Sequence, residues 1–238
     1  MMDLHEAARL ELGETPEIKA ESLGRLCELI RETPSLDVPN DEKLLVMFLR
    51  VKKYRVEEAF KLFQNYVRVR RDVPDFFRDL TPANVPLRKI CHENYLVMTS
   101  ADGDALGRGV ALLKLGAWNS TMCSFTDLIR GAMILASSCF YEDISQIYGV
   151  ACIVDLEGLG FHHFKQLTPS LLIKLAHITQ IHFVGEDVSK LWEICPREMV
   201  PAEFGGTRED FDYDRQEESV RRLTDLFEDL CRFDCPAQ

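Results

Sequence analysis

The sequence predicts an α/β domain with a mixed, partly parallel sheet, preceded by an N-terminal helical unit and followed by one amphipathic helix. Three observations lead there. The first third of the 238 residues places its apolar side chains at helical spacing. The middle third alternates short apolar runs of strand length with long helical ones, the order of a sheet whose strands are joined by crossover helices. One short run, GVACIVD from Gly149 to Asp155, is apolar on both faces, as a strand covered on both sides should be.

Taken in order, Glu17 to Glu32 reads as a helix through Ile18, Leu23, Leu26, Leu29 and Ile30, ending before Thr33-Pro34. Asp41 is the expected N-cap of a helix running to Arg50, with Leu44, Leu45, Phe48 and Leu49 inward. Val56 to Arg70 repeats the pattern, and Pro74 stops it. Tyr95 to Met98 is a short strand, Ala101 to Asp104 a turn, and Gly109 to Leu115 a second strand. Thr126 is expected to cap a long apolar helix reaching about Gln146. After the strand GVACIVD, Thr168-Pro169 opens another helix with proline in its first turn. Glu217 to Arg232 is one amphipathic helix through Val220, Leu223, Phe227 and Leu230. These elements divide the chain into a helical unit over 1–75, an α/β domain over 85–210 and a terminal helix over 211–238.

Composition narrows the function. The net charge of −11 argues against nucleic acid as a partner, since phosphate binding needs clustered cations. No apolar run reaches membrane-spanning length, and the acidic N-terminus lacks a secretory pattern, so the cytosol is expected. Eight cysteines, at 27, 91, 123, 139, 152, 195, 231 and 235, form no CxxC pair and read as buried free thiols.

Catalytic and metal patterns are missing. There is no GxSxG elbow, so Ser137 and Ser138 read as small polar residues inside a helix. Gly103, Gly107 and Gly109 lie between two strands rather than between a strand and a helix, which is the wrong place for a phosphate cradle. Asp155 and Glu157 could be paired carboxylates, but at a strand end Asp155 is better placed to bond the following loop. His162-His163 point in different directions and have no ligand partner at metal spacing. No enzyme, metal or cofactor is expected.

Four stretches, in order, carry a resemblance. DEKLLVMFLRVKKYRVEEAFKLFQNYVRVRRDVP spans Asp41 to Pro74, DGDALGRGVALLKLGAWN spans Asp102 to Asn119, GVACIVDLEGLGFHHFKQLTPS spans Gly149 to Ser170, and PAEFGG spans Pro201 to Gly206. Together they resemble the CRAL-TRIO family of proteins that carry one lipophilic molecule. The resemblance implies a lipid-binding domain behind a helical unit. It places Val150, Cys152 and Val154 on a pocket floor, Ile129, Ala132, Met133 and Ala136 along one wall, and Leu175, Ile178 and Thr179 on a further helix. By periodicity alone all ten are ordinary core. The resemblance also implies docking on phosphatidylinositol bisphosphate membranes through Lys52 and Lys61, with Arg50 and Lys53 close by; a solvated helix face explains the same charges. The implied ligand is of the tocopherol, retinoid or phospholipid class, and the implied place is the cytoplasm with transient membrane association.

One departure stands out. After LTPSLLIKLAHITQ the family continues with an Asp-x-Phe-Pro segment, a core strand, an Asn-x-Pro turn and a gate helix. Here Gln180 runs directly into IHFVG. A contiguous deletion would remove a strand, the gate helix and part of the phosphoinositide site. It would leave either an open apolar groove that still carries lipid, or an interaction module or variant that carries none.

Overall fold

The computed structural model describes residues 3–34, 36, 41–100, 108–164, 197–202, 206–208 and 212–234. The N-terminal third is helical. α1 (Leu4–Leu12) starts on the carboxylate of Asp3 and ends at Gly13, whose φ of 71° is the left-handed conformation that glycine adopts without a Cβ penalty. Sequence periodicity did not anticipate this helix. α2 (Pro16–Arg31) begins on Thr15, whose hydroxyl accepts the Ile18 N–H, and has proline at its first position. α3 (Glu42–Val51) is capped as expected, the Asp41 carboxylate accepting the Leu44 N–H at 2.7 Å. α4 (Val56–Asp72) gives way to the short α5 (Pro74–Phe77), so Pro74 both stops one helix and opens the next.

α2, α3 and α4 pack on one another through Leu26, Leu45, Leu49 and Phe63, all fully buried, and the Phe48 and Phe63 rings meet edge to face at 5.2 Å. The same core continues under the sheet through Leu96, Val97, Leu128, Ile134 and Phe227.

A π-helical turn (Arg88–Glu93) leads into β1 (Val97–Ser100). The strand starts two residues later than the alternation predicts, because Tyr95 takes φ 51° and breaks the extended run. β2 (Gly109–Lys114) pairs antiparallel with β1 and parallel with β3 (Val150–Asp155), giving the sheet order β1-β2-β3. A mixed sheet was expected and is present. The long helix predicted over 126–146 is two helices. α6 (Phe125–Phe140) starts on Ser124 rather than on Thr126, and α7 (Asp143–Tyr148) follows after Glu142 leaves helical geometry. Ser124 wins the cap because its hydroxyl accepts the Asp127 N–H at 3.0 Å.

Beyond β3 come α8 (Phe161–Phe164) and a 3₁₀ turn (Arg197–Met199). The predicted terminal helix is likewise two, α9 (Tyr213–Arg221) and α10 (Thr224–Asp234), separated at Arg222 and Leu223. Among the described residues no helix is long and apolar enough to cross a membrane. The turn over 101–104, the helix from Thr168-Pro169, and the junction at Gln180 lie outside the described residues.

Candidate functional site

Side chains alternate across the sheet, so paired residues form rows. Thr99, Ala111 and Cys152 make one row, and Val97, Leu113 and Val154 make the next on the same face. On this face Val97 and Leu113 join the core cluster with Leu128, Ile134 and Leu135 of α6. Met98, Leu112 and Ile153 make a row on the opposite face, together with Tyr213 of α9.

α6 packs over β1 and β2. β3 therefore receives less cover on that face than its neighbours: Val150 is half-buried, Cys152 is exposed and Val154 is 46% exposed. This corrects the expectation of a strand covered on both sides. It also corrects the expectation of a buried thiol at Cys152, and Cys27 and Cys231 are only half-buried; Cys91, Cys123 and Cys139 are buried as expected, while Cys195 and Cys235 lie outside the described residues. The apolar exposure continues past the strand end, with Leu156 at 46% and Phe161 at 91%.

The wall residues read from α6 occupy one stripe. Ile129, Ala132, Met133 and Ala136 are all half-buried, between the buried face of Leu128, Gly131, Ile134 and Leu135 and the solvent. Phe140 extends the stripe by one turn and is itself 46% exposed. The ends of the two surfaces are close enough to interact electrostatically. Burial is the main cause that pushes the Cys139 thiol up to about 11, and among the lesser ones Cys152 raises it further. Cys152 is also raised, by desolvation, even though its surface is exposed. The structure thus puts the α6 and β3 members of the set on one side of the sheet. Leu175, Ile178 and Thr179 lie outside the described residues.

The loop leaving β3 is fastened to the chain leaving β2. Asp155 accepts the Glu157 N–H at 2.9 Å, the loop bond that its place at a strand end suggested. Gly116 donates its N–H to the Asp155 carbonyl at 3.1 Å. A Cβ on Gly116 would stand 2.0 Å from the Glu157 carbonyl oxygen, so only glycine permits this approach. Trp118 closes the region from below. It is buried, donates its indole N–H to the Cys123 carbonyl at 3.1 Å, and meets Phe125 and His163 edge-on. His163 is buried, and its Nδ1 accepts the Gly160 N–H at 2.9 Å. The hydroxyls of Ser137 and Ser138 bond back to carbonyls of their own helix, at 2.8 and 2.7 Å. Among the described residues no group of His, Cys, Asp and Glu could hold a metal ion.

The basic positions separate into two kinds. Lys53 and Lys61 are exposed and Lys52 is half-buried, at the turn between α3 and α4 and on α4 itself. Arg50 departs from the expectation of a surface cation, being only 7% exposed. Its guanidinium gives Nε and one Nη to Glu14, at 2.7 and 2.9 Å, and the other Nη to Asp143 and Gln146 of α7, at 2.7 and 2.8 Å. With those donors committed, Arg50 ties elements of the fold together. Glu14 was not singled out by the sequence reading, because nothing local marks it among the many acidic residues of the N-terminus.

Comparison with known proteins identifies a domain within the chain. Residues 93–186 match the model of the CRAL/TRIO domain. The chain carries a CRAL/TRIO domain. Similarity to whole proteins extends further than the domain. The chain is 26% identical to clavesin-1 of Mus musculus over 250 residues, covering 88% of this chain and 70% of that protein. It is 24% identical to the human (Homo sapiens) alpha-tocopherol transfer protein-like protein over 248 residues, 88% and 72% of the two chains. Clavesin-2 of Rattus norvegicus is 22% identical over 245 residues, 87% and 75%. The alignment with clavesin-1 runs over 250 positions, more than this 238-residue chain possesses, while using only 88% of it. That relative therefore carries residues, within the matched region, that this chain lacks.

Proposed function

We propose that this CRAL/TRIO protein binds a small lipophilic molecule, of the tocopherol, retinoid or phospholipid class, and transfers it between membranes without catalysing a reaction. The observation that carries the reading is the apolar surface left on one side of the sheet. Val150, Cys152 and Val154 of β3 are half-buried or exposed on the face that α6 covers over β1 and β2, and α6 carries the half-buried stripe of Ile129, Ala132, Met133 and Ala136. An apolar surface of this kind gains about 25 cal/mol per Å² when a ligand covers it. Leu175, Ile178 and Thr179 complete the proposed lining. The names of the relatives agree with such a ligand, one of them being called alpha-tocopherol transfer protein-like.

Docking on membranes that contain phosphatidylinositol bisphosphate is the second part of the proposal, through Lys52, Lys53 and Lys61. Lysine ammonium groups supply compact charge to a multiply phosphorylated head group. Arg50 is left out of the docking set because its donors are already engaged. The place of action is then the cytoplasmic face of a membrane. The missing segment is assigned to the Gln180–Ile181 junction, and the fact that the matched region is longer in clavesin-1 supports a deletion.

The test is native mass spectrometry of the purified chain after incubation with mixed cell-membrane lipids. A stoichiometric adduct is expected and would name the ligand class. A folded chain with no adduct would refute carriage and leave an interaction module with an open apolar groove.

A further inference from the structure

We propose that Glu14 is a positioning residue: it clamps the lysine-bearing turn between α3 and α4 and ties that turn to the helix that feeds the pocket floor. The proposal rests on the docking reading above.

Glu14 follows Gly13 directly, and the left-handed Gly13 turns the chain so that the Glu14 carboxylate points back into the molecule. Its side chain is only 9% exposed. Three donors converge on it: Arg50 Nε at 2.7 Å, Arg50 Nη2 at 2.9 Å and the Tyr54 hydroxyl at 2.6 Å. Arg50 and Tyr54 flank Lys52 and Lys53, so one carboxylate grips the turn on both sides. The turn needs such a grip. Lys53 and Tyr54 are consecutive residues with φ of 46° and 60°, a left-handed pair without a glycine, and a strained conformation persists only where its surroundings hold it. The lysines are thus presented from backbone that the local sequence would not choose.

The other half of the clamp reaches the α/β domain. Arg50 Nη1 bonds Asp143 and Gln146 of α7, and α7 leads through Gly149 into β3. Ala7, Ala8 and Ile147 pack beside these polar contacts, with Leu12 and Tyr148 around them, so α1 and α7 meet through a dry patch as well. The turn that would touch the membrane and the strand that would touch the ligand are therefore joined through Glu14 and Arg50. Arg50 also acts through its neighbours and needs no contact with the head group.

A double-mutant cycle on the full 238-residue chain tests this. Binding to phosphatidylcholine vesicles, with and without phosphatidylinositol bisphosphate, is measured for the wild type, Glu14→Gln, Tyr54→Phe and Lys52→Glu/Lys53→Glu. Each of the first two changes is then combined with the lysine pair. The expected result is a loss of roughly fivefold for Glu14→Gln or Tyr54→Phe in the wild-type background, the size of an ordinary coupling within one hydrogen-bonded network, and no further loss once the lysines are gone. Tyr54→Phe removes one hydroxyl and keeps the ring, so it reports on the clamp even if Glu14→Gln does not fold. The proposal is overturned if the lysine pair abolishes binding while neither change affects it, or if their effects add fully to that of the lysines. If the lysine pair leaves binding unchanged, the docking reading fails first and this proposal falls with it.

Discussion

Replacing Gly116 by alanine should damage the loop that follows β3, and the size of the effect can be worked out. The new Cβ would lie 2.0 Å from the Glu157 carbonyl oxygen, 2.6 Å from its carbon and 2.7 Å from the Leu156 carbon. A carbon and an oxygen approach to about 3.3 Å at closest, so the two chains must part by more than about 1 Å. All three atoms are backbone, so no side chain can rotate away. Parting them also weakens the bond from the Gly116 N–H to the Asp155 carbonyl, worth about 1 kcal/mol. Overpacking of this kind costs 1–3 kcal/mol, and a clash of backbone with backbone belongs at the upper end, about 3 kcal/mol. For a chain of this size that lowers Tm by roughly 6–12 °C. Gly24→Ala is the matched control. Gly24 sits exposed inside α2 with nothing within 4 Å of the added Cβ, and should gain about 0.5–1 kcal/mol. Thermal melts by circular dichroism compare the two. A Gly116→Ala protein that melts with or above the wild type would show that residues 156–158 do not pack against the end of β2.

Other outcomes follow from the same geometry. Desolvation raises the Glu14 carboxyl, but hydrogen bonds from Arg50 and Tyr54, with the charges of Arg50 and Lys19, together outweigh it and hold the group below the ordinary value of 4.5. A depressed carboxyl stabilises the fold fully above its unfolded value and loses that contribution as pH falls through the folded one, so stability should decline below about pH 4.5. In Glu14→Gln, acid titration monitored by tryptophan fluorescence should show a smaller decline; an unchanged acid limb would contradict the assignment. Arg50→Ala strands a buried carboxylate and should cost about 3–5 kcal/mol in urea unfolding, against well under 1 kcal/mol for Lys61→Ala at the surface. Maleimide should modify Cys152 while sparing Cys91 and Cys139, which are buried and raised by burial, to about 12 and about 11. Bound lipid should slow labelling at Cys152 several-fold in peptide mass spectra, and a rate indifferent to lipid would place the ligand elsewhere. Trp118→Phe removes the donor to the Cys123 carbonyl and should cost about 1–3 kcal/mol, read from the same urea curves.

Much of the fold was legible in the linear chain because its causes are local. Asp41 caps α3 with a side chain three residues from its partner, Pro74 ends α4 because it has no N–H to give, and Asp155 bonds an amide two residues away. The mixed sheet followed from the alternation of short apolar runs with long helical ones. Helix ends were less legible where two caps competed. Ser124 and Thr126 are both competent, and the hydroxyl that reached an amide decided between them.

What tertiary structure alone decided concerns burial. Arg50 and Lys53 belong to one basic run and look equivalent in sequence. Arg50 is buried because folding brings it Glu14 from 36 residues before and Asp143 from 93 residues after, and Lys53 stays in water because nothing of opposite charge is brought to it among the described residues. In the same way, apolar residues on both faces of GVACIVD marked a strand but not its neighbours. Whether Cys152 and Val154 are core or open wall depends on how far α6 extends across the sheet, and it rests on β1 and β2. Secondary structure is written in spacings of two to four residues. The exposure of a side chain depends on which distant segments arrive beside it, and those are chosen by the packing of the whole chain.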